Sequence, residues 1–192
     1  VPKSYNHDMK NLCGIDEAGR GPLAGPLVMA GVVLYRPIDG LTDSKQLTEK
    51  RREQLYETII GDTAYHIVIF DAAMIDEKGI SACLISGLKE IMRAVTADDY
   101  LFDGNTTFGI RGLRSQIKAD INVAEVSAAS ILAKVTRDRI MIEMGKNYPA
   151  YGFEKHKGYG TKAHIEAIRE NGLSPIHRKS FKIKSLEQPS LF

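Results

Sequence analysis

Apolar residues in the first third of the chain fall in short runs that are typical of strands. Residues 12–15 and 64–70 form two such runs, and the second is rich in β-branched and aromatic side chains. Residues 27–35 are apolar almost throughout, which predicts a central strand buried on both faces. Two further extended segments are predicted at residues 100–102 and around residues 116–118.

Helical spacing dominates the rest of the chain. Residues 48–60 are polar at first and apolar at the end, and Asp76 is expected to cap a second helix with one apolar stripe. That stripe comprises Ile80, Leu84, Leu88, Ile91, Met92 and Val95. Residues 123–144 predict a long helix that ends at Gly145, and Thr161 is expected to cap a last one.

Strands followed by alternating helix and strand predict an α/β fold, with a mixed sheet that has helices on its faces. A length of 192 residues suits one domain with a small appended element. We expect a catalytic domain over residues 1–182, in which residues 145–182 form a small helical and basic extension. Residues 183–192 have no periodic pattern and are expected to be a flexible tail.

The composition indicates a soluble globular protein, with 43% hydrophobic and 26% charged residues. No apolar run approaches the roughly 20 residues that span a bilayer, and none follows the first four residues as a secretory signal would require. Cys13 and Cys83 stand in apolar surroundings, far apart. They are expected to be reduced thiols of a cytoplasmic protein, and the absence of heptads favours a monomer.

The net charge of +2 hides an uneven distribution. Residues 155–184 contain eight basic and two acidic residues, a net charge of +6, so the rest of the chain carries −4. Three histidines and two aromatic residues, Tyr159 and Phe181, lie in the same segment, as in surfaces that bind a phosphate backbone. Composition alone leaves a solvated basic face as the alternative.

Four acidic residues stand where strands end or helices begin: Asp16, Glu17, Asp103 and Asp120. Side chains at neighbouring strand ends converge on one crevice in an open sheet, and converging carboxylates repel one another unless a cation compensates. Mg²⁺ prefers such oxygen ligands. Taken alone, Asp103 and Asp120 are better explained as ordinary turn and cap acids.

The adjacent pair Asp16 and Glu17 is the stronger signal. An alternating strand sends neighbouring side chains to opposite faces, so the chain must bend there if both are to serve one metal site. Gly19 and Gly21 allow such a bend.

Several segments together resemble the type 2 ribonucleases H, the ribonuclease HII family. They occur in family order, and their combination is far more specific than any one of them. The segments are GIDEAGRGPLAGP (14–26), LTDSKQL (41–47), FDGN (102–105), SAASILAKVTRD (127–138), YGF (151–153), HKGYGT (156–161) and PIHRKSF (175–181).

The resemblance implies the ribonuclease H fold with a mixed sheet of about five strands. It implies two divalent ions, Mg²⁺ or Mn²⁺, held by Asp16, Glu17, Asp103 and Asp120. It further implies hydrolysis of RNA in RNA–DNA hybrids and cleavage 5′ to ribonucleotides embedded in DNA, giving 3′-hydroxyl and 5′-phosphate ends. This chain departs from the family at Ala119, where Lys-Gly-Asp is frequent, so the local turn before Asp120 is expected to differ.

The resemblance places recognition of the junction ribonucleotide on Gly19, Arg20, Gly21 and Tyr159. The residues leave a packing role for Tyr159 as the alternative. Further contacts to the nucleic acid are expected from Ser44, Lys45, Lys157, Arg178 and Lys179, with weaker ones from Lys134 and Arg137. His177 is expected to orient a neighbour or to contact phosphate, without acting as a general base.

The last five residues, 188–192, resemble the short peptide with which bacterial replication and repair proteins dock on the sliding clamp. Gln188 would form hydrogen bonds, and Leu191 and Phe192 would enter a groove. A frayed end is the alternative reading.

Two rival functions are a type 3 ribonuclease H and a non-catalytic adaptor that binds duplexes on the same fold. The Gly-Arg-Gly turn and Tyr159 oppose the first, and retention of four carboxylates opposes the second.

Overall fold

The computed structural model describes residues 11–41, 44 and 46–183. Its five strands are β1 (Leu12–Ala18), β2 (Leu27–Leu34), β3 (Thr63–Phe70), β4 (Asp99–Asp103) and β5 (Leu113–Gln116). Its helices are α1 (Glu49–Asp62), α2 (Ala72–Lys78), α3 (Ile80–Ala94), α4 (Ala119–Asn122), α5 (Ala124–Asn147), α6 (Phe153–His156) and α7 (Lys162–Asn171), with a 3-10 turn at Pro149–Tyr151.

The strands form one mixed sheet in the order β3-β2-β1-β4-β5. β2 pairs antiparallel with β1 and β3, whereas β1, β4 and β5 run parallel. The α/β fold with a mixed five-stranded sheet is therefore confirmed.

Helices cover both faces of the sheet, and β2 shows how its sequence permits this. Val28, Ala30 and Val32 pack with α1 and α5 on one face, while Leu27 and Met29 pack with α3 on the other. All five side chains are fully buried. The uninterrupted apolar run is thus explained by burial on both sides.

The C-terminal helices pack around the far end of α5. Met141 and Phe153 meet Ala24 in a small buried cluster, so this part of the chain also contacts the segment after β1. The predicted helical extension is present, and Thr161 caps α7 by accepting the main-chain N–H of His164.

Two predicted helix boundaries are wrong. Asp71, not Asp76, caps α2, and Gly79 with φ 82° separates α2 from α3. Asp76 lies within α2 and accepts hydrogen bonds from the main chain of Lys179 and Ser180. Gly145 does not end α5, since the helix continues to Asn147. A Cβ on Gly145 would lie 3.1 Å from the main-chain nitrogen of Glu154, so glycine allows α6 to approach.

No helix within the described ranges is long and apolar enough to cross a membrane. Cys13 and Cys83 are both buried free thiols, as the composition predicts.

Candidate active site

The parallel pairing of β1 with β4 places two of the predicted carboxylates side by side. The register aligns Ile15 with Phe102, so that Asp16 and Asp103 follow at equivalent positions of neighbouring strands. Their side chains therefore project from the same face of the sheet.

Asp120 joins this pair from the first turn of α4, the short helix that follows β5. Asp16, Asp103 and Asp120 each offer a carboxylate oxygen, and these three atoms lie within 4.8 Å of one another. Asp120 is 3% exposed and Asp16 8%, so the group lies at the bottom of a cleft. We call these three residues the carboxylate group.

The turn before Asp120 explains how the chain accommodates Ala119. The positive φ of 59° falls on Lys118, and Ala119 is already helical and fully buried. The main-chain N–H of Ala119 points to Asp103 Oδ1 at 3.4 Å, which links α4 to β4. Alanine is thus compatible with delivery of the carboxylate to the cleft.

Burial and electrostatic repulsion both disfavour the charged form of the Asp16 carboxyl. Burial is the main cause that raises the pKa of this carboxyl well above its usual range, and the charges of Glu17 and Asp103 act in the same direction. Hydrogen bonds from Ser130 and from the Glu17 N–H, the latter at 2.7 Å, oppose the shift. An all-oxygen donor set with this excess of negative charge fits a hard divalent cation.

Glu17 stands apart from the carboxylate group, although it lines the same cleft. The expected bend between Asp16 and Glu17 is wrong, because β1 stays paired with β2 as far as Ala18 and Val28. Glu17 starts on the opposite face of β1 from Asp16 but still lines the cleft, because it lies at the strand end beyond the pairing with β4. Its carboxylate lies 3.7 Å from the guanidinium of Arg20.

The Gly19-Arg20-Gly21 turn forms one wall of the cleft, next to the carboxylate group. Gly19 has φ 92°, and a Cβ there would lie 2.1 Å from Arg137 Nε and 2.5 Å from the Pro26 carbonyl oxygen. Gly21 has open space around it. Contacts within the protein therefore exclude a side chain at Gly19. At Gly21 no protein atom would contact a Cβ, so the main chain there is open to solvent.

Two arginines support this turn from beneath. Arg178 donates to the carbonyl oxygens of Gly19, Arg20 and Gly25 at 2.6, 3.2 and 2.9 Å. Arg137 donates to the carbonyl oxygens of Pro26 and Ala24 at 2.9 and 3.1 Å.

The prediction that Arg178 and Arg137 contact the phosphate backbone is wrong. They are 2% and 1% exposed, and their guanidinium groups are engaged by main-chain carbonyls. Burial lowers the pKa of Arg178 to about 10 and also lowers that of Arg137. Both arginines are structural supports of the turn.

Tyr159 lies on the same cleft and is 46% exposed. The guanidinium carbon of Arg137 lies 5.7 Å from the centre of its ring. This degree of exposure disfavours a buried packing role and leaves the ring accessible from the cleft.

The remaining predicted contacts are spread more widely. Ser44 lines the cleft, is 3% exposed and shares a 2.9 Å hydrogen bond with Ser130. Lys134 also lines the cleft and pairs with Asp138 at 2.8 Å. Lys157 is half-buried and donates to the Glu154 carbonyl, and Lys179 is exposed.

Four predicted contact residues lie outside the described residues: Lys45, Gln188, Leu191 and Phe192.

Two polar residues of the cleft, Ser130 and Lys118, have no role predicted from the sequence. Ser130 forms hydrogen bonds with Asp16 and Ser44, and Lys118 lines the cleft beside Ile117. Ser130 lies within one of the family segments, but only the packing of α5 against β1 shows that it reaches the carboxylate group.

Comparison with known proteins agrees with this geometry. The family model of ribonuclease HII matches residues 13–184. The chain is 62% identical over 186 residues to ribonuclease HII of Sulfurovum sp. (strain NBC37-1), covering 97% of this chain and 99% of that one. It is 62% identical over 180 residues to ribonuclease HII of Aliarcobacter butzleri (strain RM4018), covering 93% and 94%.

The fold comparison leads to the same family. The ribonuclease HII in a PCNA:RNase HII complex from Archaeoglobus fulgidus superimposes with a TM-score of 0.79 at 28% identity, covering 94% of this chain and 98% of that chain. The type 3 and adaptor alternatives are thereby set aside. The chain belongs to the ribonuclease HII family and is a metal-dependent ribonuclease that acts on nucleic acid.

Proposed function

We propose that the chain hydrolyses the RNA strand of RNA–DNA hybrids and cuts duplex DNA on the 5′ side of embedded ribonucleotides. The ends would be 3′-hydroxyl and 5′-phosphate, and the cellular roles would be removal of misincorporated ribonucleotides and of RNA primers. One observation carries this proposal: a single cleft is lined by the carboxylate group, the Gly19-Arg20-Gly21 turn and Tyr159.

The carboxylate group would hold the divalent cations, Mg²⁺ or Mn²⁺, with Glu17, which lines the same cleft, as a further ligand. Two such ions, when bound with substrate, supply the charge that activates a water and stabilises the leaving oxygen of a phosphodiester. The protein contributes the position of its carboxylates, which the parallel register of β1 and β4 fixes. Ser130 and the Glu17 N–H orient Asp16 through hydrogen bonds.

The turn and Tyr159 would select the ribonucleotide. A contact with the 2′-hydroxyl distinguishes RNA from DNA. The backbone of Gly21 has open space around it, so a sugar can approach the turn closely. The ring of Tyr159 would stack on the deoxyribose side of the junction.

Replacement of Tyr159 by alanine tests this assignment. We expect cleavage at a single embedded ribonucleotide to fall about 10- to 100-fold, because one stacking contact contributes about 1–3 kcal/mol. Melting temperature should change little, since the ring is 46% exposed. The measurement is kcat/KM on a DNA duplex with one ribonucleotide, compared with the melting curve.

Tyr65→Ala is the matched control, because Tyr65 is 41% exposed on β3, at the outer edge of the sheet. This variant should cleave like the wild type. A Tyr159→Ala variant that loses stability and activity in parallel, or that cleaves normally, would contradict the sensor role.

Nucleic-acid binding would rest on the exposed lysines of the basic segment, chiefly Lys179, and on Lys157. Lys179 is exposed and Lys157 is half-buried, whereas Arg178 is buried. Each phosphate contact contributes to the salt dependence of binding.

We further propose that residues 188–192 dock on the sliding clamp, a partner named for the archaeal relative in its PCNA complex. The tail peptide titrated against purified bacterial clamp should bind in the micromolar range and compete with other clamp ligands. No binding at high micromolar concentration would remove the idea. A cytoplasmic monomer, with reduced buried thiols, completes the proposal.

A further inference from the structure

Three histidines lie together beneath the loop that carries Tyr159. His156 stacks on His164 with ring centres 4.3 Å apart, and His164 lies 5.1 Å from His177. Phe153 contacts all three rings. His164 is fully buried and His177 is 1% exposed, so neither ring faces the cleft directly.

The hydrogen bonds of the two buried rings define where their hydrogens lie. His164 Nδ1 is 2.9 Å from the Tyr159 carbonyl oxygen, which can only accept, so Nδ1 carries the hydrogen. His177 Nδ1 accepts from the Ser174 N–H at 2.8 Å, so its hydrogen is on Nε2. That hydrogen points at His164 Nε2, 3.0 Å away.

The hydrogen bonds therefore run in one direction, from the Ser174 N–H through His177 and His164 to the Tyr159 carbonyl. We call this series the histidine relay. Burial lowers the pKa of His164, and burial with the neighbouring His164 lowers that of His177 to about 4, so both rings are neutral at neutral pH. Protonation of either ring would place two N–H groups against each other.

Two sets of hydrogen bonds hold the loop that carries Tyr159. The relay binds the Tyr159 carbonyl, and the segment after the Gly19-Arg20-Gly21 turn binds the Gly158 carbonyl. The Gly158 carbonyl accepts from the main-chain N–H groups of Leu23 and Ala24 at 2.9 and 3.3 Å. The Tyr159 carbonyl also accepts from the Thr161 N–H at 2.8 Å. The backbone at Tyr159 is thus fixed, although its ring is half exposed.

We propose that His164 and His177 are positioning residues that orient Tyr159 for recognition of a single embedded ribonucleotide. The exposed ring has little packing to direct it, so the direction of its Cα–Cβ bond depends on the main chain that the relay holds. This inference rests on the proposed role of Tyr159 as the sensor.

Arg178, the residue after His177, supports the Gly19-Arg20-Gly21 turn, which is the other half of the proposed sensor. Arg178 donates to the carbonyls of Gly19 and Arg20, and its own N–H donates to the Leu23 carbonyl at 2.8 Å. Two adjacent residues therefore support the two sides of the cleft. His177 supports Tyr159 through the relay, and Arg178 bonds directly to the Gly19-Arg20-Gly21 turn. This short segment and the hydrogen bonds of the Gly158 carbonyl together fix the distance between the turn and Tyr159.

Two substitutions of His164 separate the relay from simple packing. In His164→Asn the amide nitrogen occupies the region of Nδ1 and keeps a donor for the Tyr159 carbonyl, but contact with His177 is lost. In His164→Gln the amide reaches the region of Nε2 and keeps contact with His177, but the donor to Tyr159 is lost. The two variants remove similar ring volume.

The readout is a ratio: kcat/KM on a duplex with one embedded ribonucleotide divided by kcat/KM on a uniform RNA–DNA hybrid. We expect His164→Gln to lower this ratio about 10-fold, the effect of one lost hydrogen bond at an oriented site. His164→Asn, which loses only the contact with His177, should lower the ratio about 3-fold, while its melting temperature falls as much as that of His164→Gln. In a Tyr159→Ala background, His164→Gln should lower the ratio no further.

Equal ratios in the two variants, or losses on both substrates that follow the melting temperature, would overturn the proposal. If His164→Gln does not fold, His177→Asn decides, because it withdraws the donor from His164 and leaves the donor to Tyr159 in place. We expect its ratio to fall about 3-fold, and a wild-type ratio would overturn the inference. A Tyr159→Ala variant with an unchanged ratio would instead reject the sensor role itself.

Discussion

Asp103→Asn is expected to lower the rate of hydrolysis on the order of 10³-fold in Mg²⁺, equivalent to about 4 kcal/mol of transition-state stabilisation. The substitution removes one charge from the carboxylate group but keeps an oxygen that can accept from the Ala119 N–H. Because the charge of Asp103 raises the pKa of Asp16, its removal relieves repulsion and should leave the fold as stable as before. Single-turnover cleavage and a melting curve measure the two effects.

Asp99→Asn is the matched control on the same strand. Asp99 begins β4, at the opposite end from Asp103, and pairs at 3.9 Å with Arg114 near the surface. This variant should cleave at the wild-type rate. A well-folded Asp103→Asn variant that cleaves as fast as Asp99→Asn would remove Asp103 from the metal site.

Gly19→Ala should be the most damaging substitution in the turn. Alanine disfavours φ 92° by about 1–2 kcal/mol, and its Cβ would overlap Arg137 and the Pro26 carbonyl, which adds about 1–3 kcal/mol. The summed loss should lower the melting temperature by roughly 5–15 °C in a chain of this size. Activity on every substrate should fall with it, since the turn and its supporting arginines would move.

Gly21→Ala provides the comparison within the same three residues. A Cβ at Gly21 meets nothing within 4 Å, so the fold should tolerate it. Any loss of activity in this variant then reports on the approach of the substrate and not on stability. A Gly19→Ala variant that melts like Gly21→Ala would show that the close contact beneath the turn is not needed.

Much of the fold was predictable because the responsible signals are local. The apolar run of β2 and the cap at Thr161 depend only on neighbouring residues, and both are confirmed. The same holds for Asp16 near the end of β1 and Asp103 at the end of β4, whose proximity could be predicted from the sequence.

Other features depend on contacts between distant parts of the chain and leave no local signal. Arg178 lies in a basic segment and resembles a surface cation, yet it bonds to carbonyls more than 150 residues away. Asp76 resembles a helix cap because it precedes an apolar stripe, but its carboxylate accepts hydrogen bonds from the main-chain N–H groups of Lys179 and Ser180. Gly145 resembles a helix terminator, but it makes room for α6.

The bonds between Arg178 and the turn at Gly19 and Arg20 link an early part of the chain to a residue that is synthesised late. A domain generally folds as a unit during synthesis. The strands and helix that carry the carboxylate group are complete by Asn122, whereas the turn acquires its support only when Arg178 has emerged. The turn can therefore reach its bonded form only after nearly the whole domain has been made, later than the residues of the acidic centre.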